Sequence, residues 1–143
     1  MFDMVKKHNR GALAAARDYA GCRPWRGDCS EKIAKLGAFC EDLADEYGIE
    51  TPTIVRGPGY CDGTVKEGGG FYDPNTHVIV LTGGFSVMTF LRLFAHALEE
   101  ERGGEDGNEY SARWANGMFS KAFPKSWAKL VRRDAPILYR DYA

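Results

Sequence analysis

The chain has 143 residues, a formal charge of -1 and a pI near 6.3. This suits one compact domain and gives no global pull toward nucleic acid or an anionic membrane surface. Its composition, 44% hydrophobic and 13% aromatic, allows a large core, and a chain of this size buries roughly 70% of its unfolded surface without disulfide staples. No stretch approaches the roughly 18 consecutive apolar residues that would span a bilayer. The start, "MFDMVKKHNRGALAAARDYAG", breaks its short apolar run with Arg17 and Asp18, which makes a poor signal peptide. The expected setting is the cytoplasm, with no membrane partner.

Taken in chain order, residues 2–20 read as a helix ending at Gly21, and "CRPWRGDC" as a loop. Ser30 is the expected cap of a second helix, "SEKIAKLGAFCEDLADEYG", with Ile33, Leu36, Phe39, Cys40, Leu43 and Tyr47 on one stripe and Gly48 as its stop. Short extended runs follow in "ETPTIVRG" and the turn-rich "PGYCDGTVKEGGG". In "GFYDPNTHVIVLTGG", Asp73-Pro74-Asn75-Thr76 forms the turn of a hairpin. Ser86 caps the next helix, whose apolar positions Val87, Phe90, Leu91, Phe94, Ala95 and Leu98 carry it to Arg102 before Gly103-Gly104. Asn108 is the expected cap of a helix over 109–122, bounded by Pro124, and Ser126 of a last one over 127–134. The order predicts an α+β domain with a small three-stranded sheet.

None of the four cysteines, Cys22, Cys29, Cys40 and Cys61, sits in a C-x-x-C pair, so a zinc knuckle or dithiol redox motif is not written in the spacing. Cys22 and Cys29 could close a small loop, but free thiols are the ordinary state of an intracellular chain. The "RGD" between them is a three-letter coincidence.

Two stretches carry a family resemblance. "NEYSARWANGMFSKAFP" has a glutamate opening a helix, with a small residue three on and a closing proline. "YDPNTHVIVLTGGFSVMTFLRLFAHAL" has a hairpin running into a helix with a histidine. Together they resemble the minigluzincin metallopeptidases, the SprT-like and ImmA/IrrE-like group. The resemblance covers about residues 30–124 of a single domain spanning 1–143, with the first and last helices as extensions. It implies a zincin-like fold: a small sheet packed on an active-site helix and a glutamate helix. In that family two histidines at i and i+4 face a zinc ion, the glutamate between them is the base for the bound water, and a glutamate from the neighbouring helix completes the site.

Laid on this chain, the resemblance matches His96 to the second histidine and Glu109 to the third ligand. Arg92 stands where the first histidine belongs and Leu93 where the base belongs, so the motif reads "RLFAH". A leucine takes no proton from water. An arginine brings a fixed positive charge to the place of a cation. The resemblance thus implies that Arg92, Leu93, His96 and Glu109 are the remains of a metal site. The expectation is a non-catalytic, peptide- or protein-binding relative, a pseudoenzyme with no catalytic residues and no cofactor. Its peptide groove would lie along an edge strand at His77, Val78, Ile79 and Val80. A salt bridge from Arg92 to Glu109 would stand in place of the metal.

Two other readings stay open. A hydrolase with zinc or another divalent metal could use rearranged ligands, His96, Glu100 and Glu109, with Asp106 or His77 as further donors. The plainer reading of "EEERGGED" is a solvated acidic helix end. Nucleic-acid association could run through Lys121, Lys125, Lys129, Arg132 and Arg133, which otherwise read as a solvated helix face. The sequence names no physiological partner and no oligomeric state.

Overall fold

The computed structural model describes residues 10–61, 68–101 and 107–132, with side chains in the last segment from Tyr110 onward. Helix α1 is Arg10–Gly21 and α2 is Cys29–Tyr47. Three strands follow, β1 (Thr53–Arg56), β2 (Gly68–Asp73) and β3 (Val78–Gly83), then α3 (Val87–Glu101) and α4 (Gly107–Ala122). Residues 124–132 form a further helix, α5. The expected α+β order holds across the described residues, and no described helix is long and apolar enough to cross a membrane.

Local chemistry explains the element ends, sometimes differently from expectation. Asp28, not Ser30, caps α2: its carboxylate accepts from the Glu31 N–H at 2.9 Å, and Glu31 Oε1 accepts from the Asp28 N–H at 3.1 Å. This reciprocal capping box satisfies two orphan donors at once, which a serine two residues later cannot do. Gly48 closes α2 in the left-handed conformation, at φ 67°. Ser86 caps α3 as expected, its Oγ accepting from the Thr89 N–H at 3.1 Å. Pro124 opens α5 instead of only bounding α4. The Trp127 N–H bonds to the Phe123 carbonyl at 2.9 Å, so Ser126 lies inside the helix and is not its cap. A proline is tolerated in a first turn, where its missing N–H has no helical partner to lose. Helix α4 likewise begins before the expected position, with Asn108 inside it. Of the expected first and last helices, residues 2–9 and 133–134 lie outside the described segments.

The sheet is mixed, in the order β1-β3-β2. β1 pairs parallel to β3 with Ile54 opposite Ile79, and β2 pairs antiparallel with Phe71 opposite Val80. The hairpin turn is tied by Asp73, which accepts from the Asn75 N–H at 3.0 Å and from the Thr76 hydroxyl at 2.9 Å. Strand β3 alternates, with Ile79 and Leu81 buried against the helices.

Helix α3 is the centre of the core. Val87, Phe90, Leu91, Phe94, Ala95 and Leu98 are all buried. An aromatic chain crosses the domain through it. Tyr19 stacks on Phe39 at 4.3 Å, Phe39 meets Phe90, Phe90 meets Phe94, and Phe94 meets Trp114 at 5.9 Å. The Trp114 indole N–H donates to the Tyr47 hydroxyl at 3.2 Å, so the largest core side chain is also polar-satisfied. This packing fixes α3 between β2 on one side and α4 on the other.

Candidate functional site: a cleft between β2 and α3

A cleft of about 370 Å³ opens between β2 and α3. Gly70, Phe71, Tyr72 and Pro74 form one wall, and Leu93, His96 and Glu100 the other. The three helix residues lie at i, i+3 and i+7, which puts them on one face. Leu93 is only 8% exposed and Phe71 is 56% exposed, so the cleft runs from an apolar floor to an open apolar lip.

His96 is half-buried, and its Nε2 lies 3.2 Å from the hydroxyl of Ser111 on α4. Burial lowers its pKa below the ordinary value, while the nearby Glu99 carboxylate pulls the other way. The ring is therefore neutral at pH 7 and joins two helices. Ser111 is 3% exposed. Sequence reasoning missed this partner; the only signal was a small polar residue beside the apolar stripe of Tyr110, Trp114 and Met118.

Arg92 is half-buried on α3, one turn before His96, and is not among the cleft-lining residues. Glu109 begins α4, but its side chain lies outside the described residues, as does Asp106, and with it the expected Arg92–Glu109 contact. Glu100 is exposed and lines the cleft with His96.

The expected peptide groove along His77–Val80 does not hold. Residues 78–83 form the central strand, bonded to β1 on one side and β2 on the other. Its backbone donors and acceptors are used, so no added strand can pair there. Parallel pairing of β1 closes the side that a lone hairpin would have left open. The outward edge on the cleft side belongs to β2, which has no further strand partner among the described residues.

His77 has a different task. It sits in the left-handed region at φ 56°, at the end of the turn. Its Nε2 lies 2.7 Å from the Glu50 carbonyl, which can only accept, and its Nδ1 lies 2.7 Å from the Tyr72 hydroxyl. In the neutral ring Nε2–H donates to Glu50, and Nδ1 accepts from Tyr72. Glu101 Oε1 is 3.9 Å from the same Nδ1. Tyr72 lines the cleft, and its pKa is pushed up to about 12 by burial and by the carboxylates of Glu101, Glu100 and Asp73. It is a neutral phenol whose proton is directed at His77.

Among the described residues, no group of three or more His, Cys, Asp and Glu is arranged to hold a metal. Three of the positions singled out by the resemblance have other chemistry in the structure. His96 Nε2 is engaged with Ser111, Leu93 offers no donor, and Arg92 offers a cation. On α5, Lys125, Lys129 and Arg132 are exposed at helical spacing. Lys121 is exposed on α4, and Arg133 lies outside the described residues. The chain matches no known family description, no characterised protein and no solved structure.

Proposed function

We propose that this chain is a non-catalytic, zincin-like relative of the minigluzincin peptidases that binds an extended peptide or protein segment in the β2–α3 cleft. One observation carries the reading: an open cleft lies beside an edge strand, and Leu93 forms its wall at the position the resemblance gives to the base. An extended segment would add to the outer edge of β2 through backbone hydrogen bonds and set a side chain beside Phe71 and Leu93. Without a base, bound peptide is held and not cut.

The test is titration of the isotopically labelled full chain with an unstructured casein-derived peptide pool, followed by amide shifts. Shifts concentrated at Gly68–Asp73, reduced by Tyr72→Ala, support the reading. Shifts absent from β2 at millimolar peptide remove it. Chelator-sensitive cleavage of casein removes its non-catalytic half.

A second reading is favoured by a specific feature: His96 and Glu100 line the same cleft one turn apart. With Glu109 they could supply rearranged ligands for a divalent metal in a hydrolase. Elemental analysis of protein purified without chelators separates the readings. A stoichiometric transition metal, lost in Glu100→Gln, supports the hydrolase.

A further inference from the structure

Cys29 and Cys61 are 32 positions apart in sequence, yet the fold brings the Cys29 thiol against the peptide unit that joins Tyr60 to Cys61. Two independent contacts hold this arrangement. Cys29 Sγ lies 3.9 Å from the Tyr60 carbonyl, the group attached directly to the nitrogen of Cys61. The Cys61 N–H in turn bonds to the Gly83 carbonyl at 2.8 Å, with Cys61 held in the left-handed region at φ 67°. Cys29 is the first residue of α2, directly after its Asp28 cap. One end of the pair is therefore fixed at a helix start, and the other in the turn after β1, tied by its N–H to the end of β3. A disulfide forms only where the fold already brings the two side chains close. Both thiols are partly exposed, which leaves them open to a small oxidant.

We infer that Cys29 and Cys61 are a preformed redox pair that closes to a reversible disulfide, tying the start of α2 to the turn after β1. With a peroxide as oxidant the step balances. One thiolate attacks the O–O bond, giving a sulfenic acid and releasing water. The second thiolate attacks that sulfur, forming the S–S bond and expelling the second oxygen as water. Two electrons pass from the sulfurs to the peroxide, and the two thiol protons end in the two waters. Burial and the contact with Cys29 push the Cys61 thiol up to about 11, opposed by Lys32 and Arg56. Closure is therefore faster at pH 9 than at pH 7, because the thiolate is the nucleophile. The other two cysteines serve as internal controls. Cys22 is exposed, and Cys40 is buried with its thiol pushed up to about 12 and directed at the Pro52 carbonyl. This inference is independent of what the cleft binds.

The experiment treats the full chain with hydrogen peroxide, blocks residual thiols, digests with trypsin without reductant and maps linked peptides. Cys29 falls in peptide 27–32, Cys61 in 57–66 and Cys22 in 18–26, so the possible pairings separate by mass. The expected result is a 27–32/57–66 link with Cys22 and Cys40 still alkylated. It is accompanied by a rise in Tm of roughly 10 °C from closing a loop of this length, reversed by dithiothreitol. The link persists in Cys22→Ser and vanishes in Cys61→Ser. A 18–26/27–32 link, or oxidation of Cys29 or Cys61 without any link, overturns the inference. The wild-type map alone decides it should a variant fail to fold.

Discussion

Gly70→Ala tests whether β2 is held against β3 as rigidly as the cleft requires. Gly70 has φ 146°, a conformation L side chains rarely adopt, and a Cβ there would collide with the Val80 carbonyl oxygen. The neighbour is backbone in the central strand and cannot swing aside. Backbone strain at such a position costs about 1–3 kcal/mol. Opening the Gly70–Leu81 pair forfeits about two ladder hydrogen bonds at roughly 1 kcal/mol each. The expected loss is about 4 kcal/mol, a large share of the 5–15 kcal/mol typical of a domain. That corresponds to a fall in Tm of roughly 12 °C, or in urea midpoint of about 2 M. Gly69→Ala is the matched control. Its Cβ would meet the Thr82 hydroxyl at 3.1 Å and the Thr82 carbonyl oxygen at an ordinary 4.0 Å, with no positive φ, so it should stay within about 1 kcal/mol of the parent. Urea denaturation followed by circular dichroism measures both. A Gly70→Ala variant as stable as Gly69→Ala would refute the close β2–β3 approach and the wall it gives the cleft.

Because burial lowers the His96 pKa from its ordinary 6.5, the unfolded chain takes a proton that the folded chain refuses. Stability should therefore fall as pH drops below 6.5, by up to about 1.4 kcal/mol per pH unit until the folded value is reached. His96→Gln should flatten that part of the curve, and an unchanged slope would contradict the assignment. Arg92→His alone should leave casein uncut with zinc supplied, since Leu93 still takes no proton; chelator-sensitive release of peptides by that single variant would overturn this. A double-mutant cycle of Arg92→Ala and Glu109→Ala should show coupling of about 1–3 kcal/mol if the expected salt bridge forms, and coupling near zero would remove it.

Much of the fold was legible because its signals are local. The stripe Leu36, Phe39, Cys40 and Leu43 buries as its helical spacing predicts, and Asp73-Pro74-Asn75-Thr76 turns the chain as its side chains dictate. What stayed hidden depends on partners distant in sequence. Nothing in "TIVR" announces that it pairs parallel to β3, and that pairing moves the free edge from residues 78–80 to β2. The His96–Ser111 contact and the Cys29–Cys61 pair likewise span 15 and 32 positions. Spacing rules that read one helix or one loop cannot reach them. The Asp28 cap was a local signal overlooked, since D-x-x-E is itself a capping box.

The cleft does not depend on the chemistry that the family resemblance associates with it. One wall is a strand fixed by its hairpin partner, and the other is the helix that organises the whole core. Neither wall needs a metal ligand or a base on α3 to stand, provided the polar groups of the helix have partners. His96 has one in Ser111, as a neutral ring whose burial needs no counter-ion. Leu93 goes further, because an apolar side chain at this position adds buried surface, whereas an ionised carboxylate there would cost desolvation without a metal to offset it. Arg92 and Leu93 are thus consistent with one another. Under the proposed reading, leucine is the more stable wall, and a cleft so lined would favour an apolar side chain of a bound peptide over a water poised for attack.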